Sequence, residues 1–142
     1  MIKITDKVGK KEEEAKEELP DMLLPPQKEI RTIALFGDVD EEKAGDLCMG
    51  LLMLTDMNDK EPPYKPITFY ISSYGGSADE MFSIYDMMTI TKTKCEIHTV
   101  GLGKIMSAAT LLLASGTKGK RKIGKHCRVM IHAVAAGSAG EL

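Results

Sequence analysis

The chain has 142 residues, of which 43% are hydrophobic and 28% are charged, so it is long enough for one globular domain with a buried core. Its net charge of −2 argues against a general nucleic-acid binder, and no apolar run reaches the roughly 20 residues that cross a membrane. Three scattered cysteines are too few for a disulfide framework, and the N-terminus has no secretory or organelle-targeting pattern, so we expect a cytoplasmic protein.

The first 28 residues differ in composition from the rest of the chain. The mixed-charge run KKEEEAKEE is followed by LPDMLLPPQK, which contains three prolines. Charge runs of this kind are usually solvated helices or disordered segments. We therefore predict an N-terminal arm over residues 1–28 and a folded domain over residues 29–142.

Strand and helix patterns alternate from residue 30 onward. Four runs rich in β-branched residues predict strands: IRTIALFG, ITFYIS, CEIHTVG and HCRVMIHAV. Apolar residues at helical spacing follow each of the first three runs, and Asp40, Ser77 and Ser107 stand where these helices begin. The alternation predicts an α/β fold with a largely parallel sheet covered by helices.

The junction YGGSADE has two glycines before its helix. Ser77 and Glu80 have the spacing of a capping box, which marks a helix start. Gly75 and Gly76 allow the backbone to adopt positive φ and to approach a ligand closely. The amides of this turn suit an anion or a developing oxyanion, and an ordinary tight turn is the alternative.

The junction GKIMSAATLLLA places Ser107 before an apolar helix. A lone serine in this position is most often an N-cap. The helix is apolar all round, so we expect it to be buried. In parallel α/β sheets, functional sites lie at the carboxyl ends of strands, which puts Ser107 on the same edge as the glycine turn.

A nucleophilic serine needs a base, and the sequence has three histidines. His132 ends the run RVMIH, which we interpret as another strand reaching the same edge. An amide turn, a serine and a histidine at three strand ends are the groups that acyl transfer requires. A structural role for His132 remains the alternative.

Rival sites receive less support. The segment VGLGKIMS lacks the third glycine and the acidic residue of a dinucleotide site, and the chain has no Walker motif. Cys95 and His98 would point to opposite faces of a strand, so no metal site is expected. The basic run KGKRKIGK has no interleaved aromatic residues for base stacking. We therefore predict no cofactor, no metal and no nucleic-acid partner.

Taken together, three segments resemble the proteolytic subunit of the Clp protease, ClpP. ITFYISSYGGS is similar to the family's Y-I-N-S-P-G-G strand and turn, and RVMIH matches its histidine strand. GKIMSAATLLLASGTKGKR resembles G-Q-A-A-S-M-G-A-x-L-L-x-A-G-x-K-G-K-R. The likeness covers about Ile30 to Gly140 and implies the ClpP/crotonase-type fold of β-α units.

The resemblance also implies the roles of individual residues. Ser107 corresponds to the nucleophile and His132 to the general base. The amides of Ser77 and Ala108, with Gly76 beside them, correspond to the oxyanion hole. The implied activity is hydrolysis of unfolded polypeptides through an acyl-enzyme, inside a homo-oligomeric chamber of heptameric rings that an ATP-driven AAA+ unfoldase supplies.

The sequence departs from the family at several positions. Tyr74 replaces a proline, and Lys104 to Met106 replace Q-A-A before the serine. Family order places a triad aspartate and a handle helix after the histidine, whereas only Glu141 follows His132 here. Loss of the orienting carboxylate costs serine proteases about 10⁴-fold in kcat, so we expect this chain, lacking most of the handle region, to be weakly active or inactive.

Two alternatives remain open. The first is a non-catalytic ring subunit in a mixed assembly, which the absent triad aspartate favours. A crotonase-type acyl-CoA enzyme would use the same fold and oxyanion geometry, but it gives Ser107 and His132 no joint role.

Overall fold

The computed structural model describes residues 29–58 and 60–133 as one α/β domain. Its elements in chain order are β1 (Thr32–Phe36), α1 (Glu41–Asp56), β2 (Ile67–Ser73), α2 (Ala78–Thr91), β3 (Ile97–Met106), α3 (Ala108–Ala114), β4 (Lys122–Ile123) and β5 (Arg128–Met130). The arm predicted over residues 1–28 lies outside the described residues, as do residues 134–142.

Within residues 29–58 and 60–133 the sheet has five strands, and every pair of neighbours is parallel. The strand order is β1-β2-β3-β4, and β5 also pairs with β3. The predicted parallel sheet is therefore confirmed. The short strand β4 lies in the basic run KGKRKIGK, for which the sequence predicts no strand. Strand β5 ends at Met130, so His132 follows the strand, whereas the sequence predicted that it ends the strand.

The core lies on one face of the sheet. Residues of β2 alternate strictly between buried and half-buried positions, and the buried set packs against α1, α2 and α3. Fully buried side chains at the centre include Phe69, Leu51 and Ile84. On the other face Phe36 is exposed, so no helix of the described residues covers this end of the sheet.

Helix α3 is less buried than its composition predicted. Only Ala109 and Leu112 are buried, whereas Leu111 is 38% exposed. The seven-residue helix rests with one side on the core, and its other side, including Leu111, lines a cavity. An all-apolar helix therefore supplies both core and cavity wall here.

Strand β3 continues through the segment GLGKIM without ending, although it contains a bulge there. Ile71 pairs with Gly101 and Ser73 pairs with Ile105, so β3 has two more residues than β2 across this interval. Gly103 takes up part of the difference with φ of 61°. The G-x-G sequence is thus a bulged strand and not a phosphate-binding turn.

No helix in the part of the chain that the structure describes is both long and apolar enough to span a bilayer.

Candidate active site

The ends of three parallel strands meet at one edge of the sheet. The glycine turn follows β2, Ser107 follows β3 directly, and His132 lies two residues beyond the end of β5. The Ser107 amide donates to the Met130 carbonyl at 2.9 Å, which ties the serine to the strand that leads to the histidine. The geometry thus brings the predicted groups to the same edge.

Ser107 has an unusual backbone conformation. Its φ of 52° and ψ of −127° make it the only described non-glycine residue with positive φ. A residue with a Cβ in such a sparsely populated region costs about 1–3 kcal/mol, which the surrounding structure must offset. Strain of this kind concentrates at functional sites, so the conformation marks Ser107 as a candidate.

The hydroxyl of Ser107 does not cap its helix. The residue occupies the N-cap position of α3, yet its side chain makes no capping hydrogen bond. Ser77, at the start of α2, accepts a hydrogen bond from the Glu80 amide in the ordinary way. The N-cap interpretation of Ser107 is therefore wrong for its side chain, because the backbone turns the hydroxyl away from the first helical turn.

Gly75 permits the conformation of Ser107. A Cβ added to Gly75 would lie 2.7 Å from the Ser107 Cβ and 3.0 Å from the Ala108 amide nitrogen. Its amide is held by the buried Ser73 hydroxyl at 3.0 Å, and its carbonyl accepts from Val39. The glycine turn is thus pressed directly against the serine, and no other residue type fits there.

The structure corrects one of the three predicted oxyanion donors. The Ser77 amide donates to the Val39 carbonyl at 2.9 Å, so it is already engaged in the fold and leaves the predicted capping box half-formed. The amides of Gly76 and Ala108 donate to no acceptor within residues 29–58 and 60–133. Ala108 begins α3, where amides have no intrahelical partner. These two amides remain as donors for a ligand.

A cavity of about 540 Å³ opens beside these groups. Ser107, Ala108, Gly76 and His132 all line it, whereas Ser77 does not. The remaining lining residues are mostly apolar: Ala78, Met81, Phe82, Thr110, Leu111 and Ile131. A concave apolar space with a few convergent polar groups is the usual form of a ligand site.

The side chains of Ser107 and His132 are not hydrogen-bonded to each other in this structure. His132 is exposed, and no hydrogen bond joins its ring to the Ser107 hydroxyl. No carboxylate among the described residues forms an ion pair with His132. Catalytic hydrogen bonds often form fully only when substrate binds, so the absence of this bond is compatible with His132 acting as the base for Ser107.

Sequence reasoning missed Thr110. Its amide and its hydroxyl both donate to the Ser107 carbonyl, at 2.9 and 2.6 Å. A signal was present, since threonine in a helix often bonds a carbonyl three or four residues earlier, and Thr110 is three residues after the serine.

Two departures from the family segments contact each other. The Lys104 ammonium lies over the Tyr74 ring, 4.4 Å from its centroid. Such a cation–π contact contributes about 0.5–1 kcal/mol at an exposed site. Lys104 and Tyr74 therefore act as a pair that joins the glycine turn to β3.

The thiol of Cys48, which lies on α1 and contacts α2, is a poorer candidate nucleophile than Ser107. The Cys48 side chain lies 3.7 Å from the Ser83 carbonyl. Burial raises the pKa of this thiol, and the nearby charge of Glu80 raises it further. Because the thiolate is the nucleophile, a raised pKa makes Cys48 a poor one.

Comparison with known proteins gives a consistent result. The family model described as Clp protease matches residues 16–142. An ATP-dependent Clp protease proteolytic subunit 1 of Corynebacterium jeikeium is 41% identical over 110 residues, covering 78% of this chain and 55% of the relative. Proteolytic subunit 2 of Corynebacterium diphtheriae is 36% identical over 137 residues, covering 96% of this chain and 66% of the relative.

A solved structure shares the fold. The ClpP protease catalytic domain from Plasmodium falciparum matches with a TM-score of 0.66 and 38% identity, covering 73% of this chain and 55% of that one. The chain spans between about half and two thirds of the length of these curated relatives.

Proposed function

Since the chain belongs to the Clp protease family, we propose that it is a serine endopeptidase subunit with Ser107 as nucleophile and His132 as general base. One observation carries the proposal: a strained serine, uncapped, opens onto a cavity that is also lined by a histidine and by two amides without acceptors. The fold matches the ClpP catalytic domain, and the activity, substrates and partners below extend the family assignment to this chain.

The chemistry follows from the groups around the cavity. Ser107 Oγ attacks the peptide carbonyl while His132 takes the hydroxyl proton, and the oxyanion accepts hydrogen bonds from the Gly76 and Ala108 amides. Collapse of the tetrahedral intermediate breaks the C–N bond, and the protonated His132 gives its proton to the leaving amine. Water then attacks the acyl-enzyme while His132 takes its proton, and the ester C–Oγ bond breaks as His132 returns that proton to Ser107, which frees the acid product.

The cavity indicates the substrate class. Met81, Phe82, Leu111 and Ile131 offer apolar contacts, and His132 is the sole titratable side chain among the described lining residues. An apolar wall next to a nucleophile accepts an apolar side chain of a polypeptide. Unfolded polypeptide therefore fits the site better than a charged small molecule.

The orienting carboxylate is part of the proposal. His132 has no carboxylate partner within residues 29–58 and 60–133. We infer that a carboxylate from outside these residues orients the imidazole in the active assembly. Without it the serine retains its oxyanion donors but reacts about 10⁴-fold more slowly.

Assembly and location belong to the same proposal. Met49, Leu52 and Met53 form an exposed apolar patch on α1, and such patches mark protein contacts. The patch supports a homo-oligomeric ring, heptameric by family resemblance, with an AAA+ unfoldase as partner. The thiols of Cys48, Cys95 and Cys127 are free, which supports a reducing compartment such as the cytoplasm.

A fluorophosphonate probe tests the nucleophile. We expect the wild-type chain to be labelled at Ser107, as located by peptide mass spectrometry, and Ser107→Ala to be unlabelled. Labelling of the alanine variant at the wild-type rate, or a folded wild-type chain that resists the probe, would contradict the assignment.

A non-catalytic ring subunit is the second candidate. Two absences among the described residues favour it: no hydrogen bond joins Ser107 to His132, and no carboxylate forms an ion pair with His132. Native mass spectrometry of the chain mixed with an active proteolytic subunit separates the two: co-assembly without probe labelling of Ser107 supports the second candidate. The relatives reported above are Clp protease subunits, so the acyl-CoA alternative is not proposed.

A further inference from the structure

The Ser107 carbonyl is held by one neighbouring residue through two hydrogen bonds. Both the amide and the hydroxyl of Thr110 donate to it, at 2.9 and 2.6 Å. The hydroxyl bond is the shorter of the two, and Thr110 is among the residues that line the same cavity as the serine. In the family segment quoted above, alanine stands at the corresponding position, so this hydroxyl is a feature of the present chain.

Orienting this carbonyl also orients the next amide. In a trans peptide unit the carbonyl of one residue and the N–H of the next lie in one plane and point in opposite directions. Two bonds that draw the Ser107 carbonyl toward Thr110 therefore aim the Ala108 N–H away from it. That amide lines the cavity and donates to no described acceptor.

The peptide unit needs such a restraint because its first residue is strained. With φ of 52° and ψ of −127°, Ser107 would relax if the unit following it rotated. Rotation would turn the Ala108 N–H out of its present direction. A threonine or serine hydroxyl in a helix can bond a carbonyl three or four residues earlier, and the Thr110 hydroxyl does so here.

We propose that Thr110 is a positioning residue whose hydroxyl holds the Ser107–Ala108 peptide unit so that the Ala108 amide faces the developing oxyanion. The inference rests on the proposed serine peptidase function, since an oxyanion forms only there. Thr110 acts through the Ala108 amide and does not touch the reacting atoms.

Two substitutions at Thr110 separate the hydroxyl from the shape of the side chain. Thr110→Val keeps the shape and removes the donor, whereas Thr110→Ser keeps the donor. Thr89→Val is a matched control, because the Thr89 hydroxyl makes a similar bond to the Tyr85 carbonyl on α2, at 3.0 Å and away from the cavity. Thermal unfolding of all three variants checks that each is folded.

The first readout is the kinetics of fluorophosphonate labelling of the full chain, separated into probe affinity and maximal rate. A net hydrogen bond lost from transition-state positioning predicts a maximal rate about five-fold lower in Thr110→Val, with the probe affinity unchanged. We expect Thr110→Ser and Thr89→Val to react at the wild-type rate. An undiminished rate in Thr110→Val, or an equal loss in Thr110→Ser, would overturn the proposal.

The second readout does not depend on reactivity. A crystal structure of Thr110→Val should show the Ser107–Ala108 peptide unit rotated or in two orientations, and Thr110→Ser should keep the single wild-type orientation. A Thr110→Val structure with the unchanged peptide orientation would refute the inference. If the wild-type chain is not labelled at all, the function proposed above fails, and this structural comparison still decides the role of the Thr110 hydroxyl.

Discussion

Two serines stand at equivalent places in this fold and do different things. Ser77 follows β2 and begins α2, with φ of −56° and ψ of 130°, and its hydroxyl accepts from the Glu80 amide. Ser107 follows β3 and begins α3, with φ of 52° and ψ of −127°, and its hydroxyl makes no cap. The pair shows that a serine before a helix is a cap only when its backbone directs the hydroxyl along the helix axis.

The difference arises from contacts distant in sequence. Gly75 presses against the Ser107 Cβ, and the Met130 carbonyl holds the Ser107 amide. The Ser77 amide donates to the Val39 carbonyl, at the other side of the same turn, and its carbonyl and hydroxyl accept from amides of the helix it begins. The neighbours thus impose strain on one serine and leave the other relaxed.

The largest expected effect comes from removing each of the two hydroxyls in turn. Ser107→Ala should abolish peptidase activity in any active assembly, a loss on the order of 10⁶-fold in kcat, because the nucleophile is gone. Ser77→Ala should leave kcat close to wild type. Steady-state hydrolysis of a fluorogenic peptide measures both, and equal losses in the two variants would contradict the distinction.

The next largest effect should come from the glycine that separates the two serines. Gly75→Ala places a methyl 2.7 Å from the Ser107 Cβ at a φ of 101°, so we expect a destabilisation of about 1–3 kcal/mol and a large loss of probe labelling. Urea unfolding gives the free energy.

Gly45→Ala is the matched control for this change. Gly45 lies inside α1, and nothing stands within 4 Å of its missing Cβ. This substitution should stabilise the chain by about 0.5–1 kcal/mol. A Gly75→Ala variant as stable as Gly45→Ala would show that the close approach of Gly75 to Ser107 is unimportant.

A smaller effect is expected on the free energy of unfolding, which should fall more in Ser77→Ala than in Ser107→Ala. Ser77→Ala removes a cap and should lower the free energy of unfolding by about 0.5–1 kcal/mol. Ser107→Ala removes no capping bond and should cost less, since the strained backbone remains. Thermal unfolding of the two variants side by side tests this, and a larger cost for Ser107→Ala would mean that its hydroxyl has a structural partner.

The smallest expected effect concerns Asp40, whose carboxylate caps the start of α1. The hydrogen bond from the Lys43 side chain, and then that from the Lys43 amide, lowers the pKa of Asp40. A lowered folded-state pKa means that the contribution is complete above the unfolded-state pKa and is lost as the pH falls through the folded value.

A variant that cannot titrate isolates this contribution. Asp40→Asn keeps a capping oxygen, so the stability advantage of the wild type over it, measured by urea unfolding, should shrink below about pH 4. The Ser77 cap has no charge and should show no such dependence. An advantage that grew on acidification would contradict the sign of the shift.

Much of the fold could be predicted from the sequence, because its signals are local. The β-branched runs, the Asp40 cap and the helical spacing of apolar residues all act within a few positions, and the structure confirms the parallel sheet that they indicate. The strand β4 was missed because its two residues, Lys122 and Ile123, are held by pairing with Val100 and Gly101 on β3 and have no pattern of their own.

The details of the site depend on contacts that local patterns do not contain. The Ser77 amide is engaged by Val39, which is 38 residues earlier in the chain, and this contact removes it from the predicted oxyanion donors. The positive φ of Ser107 depends on Gly75, in the turn after β2, and on Met130, at the end of β5. The roles of Ser107 and His132 stay predictions until the labelling and kinetic experiments are done.

The bulge in β3 limits how the length of this segment can change. Between Gly101 and Ile105 the strand has two residues more than the facing part of β2, and side chains alternate between faces with a period of two. Loss of two residues here would restore regular pairing with Ile105 still opposite Ser73 and still in the core. Loss of one residue would exchange the faces of Ile105 and Lys104, so that the isoleucine would point outward and the lysine into the core. Insertions and deletions before the serine should therefore be tolerated only in even numbers.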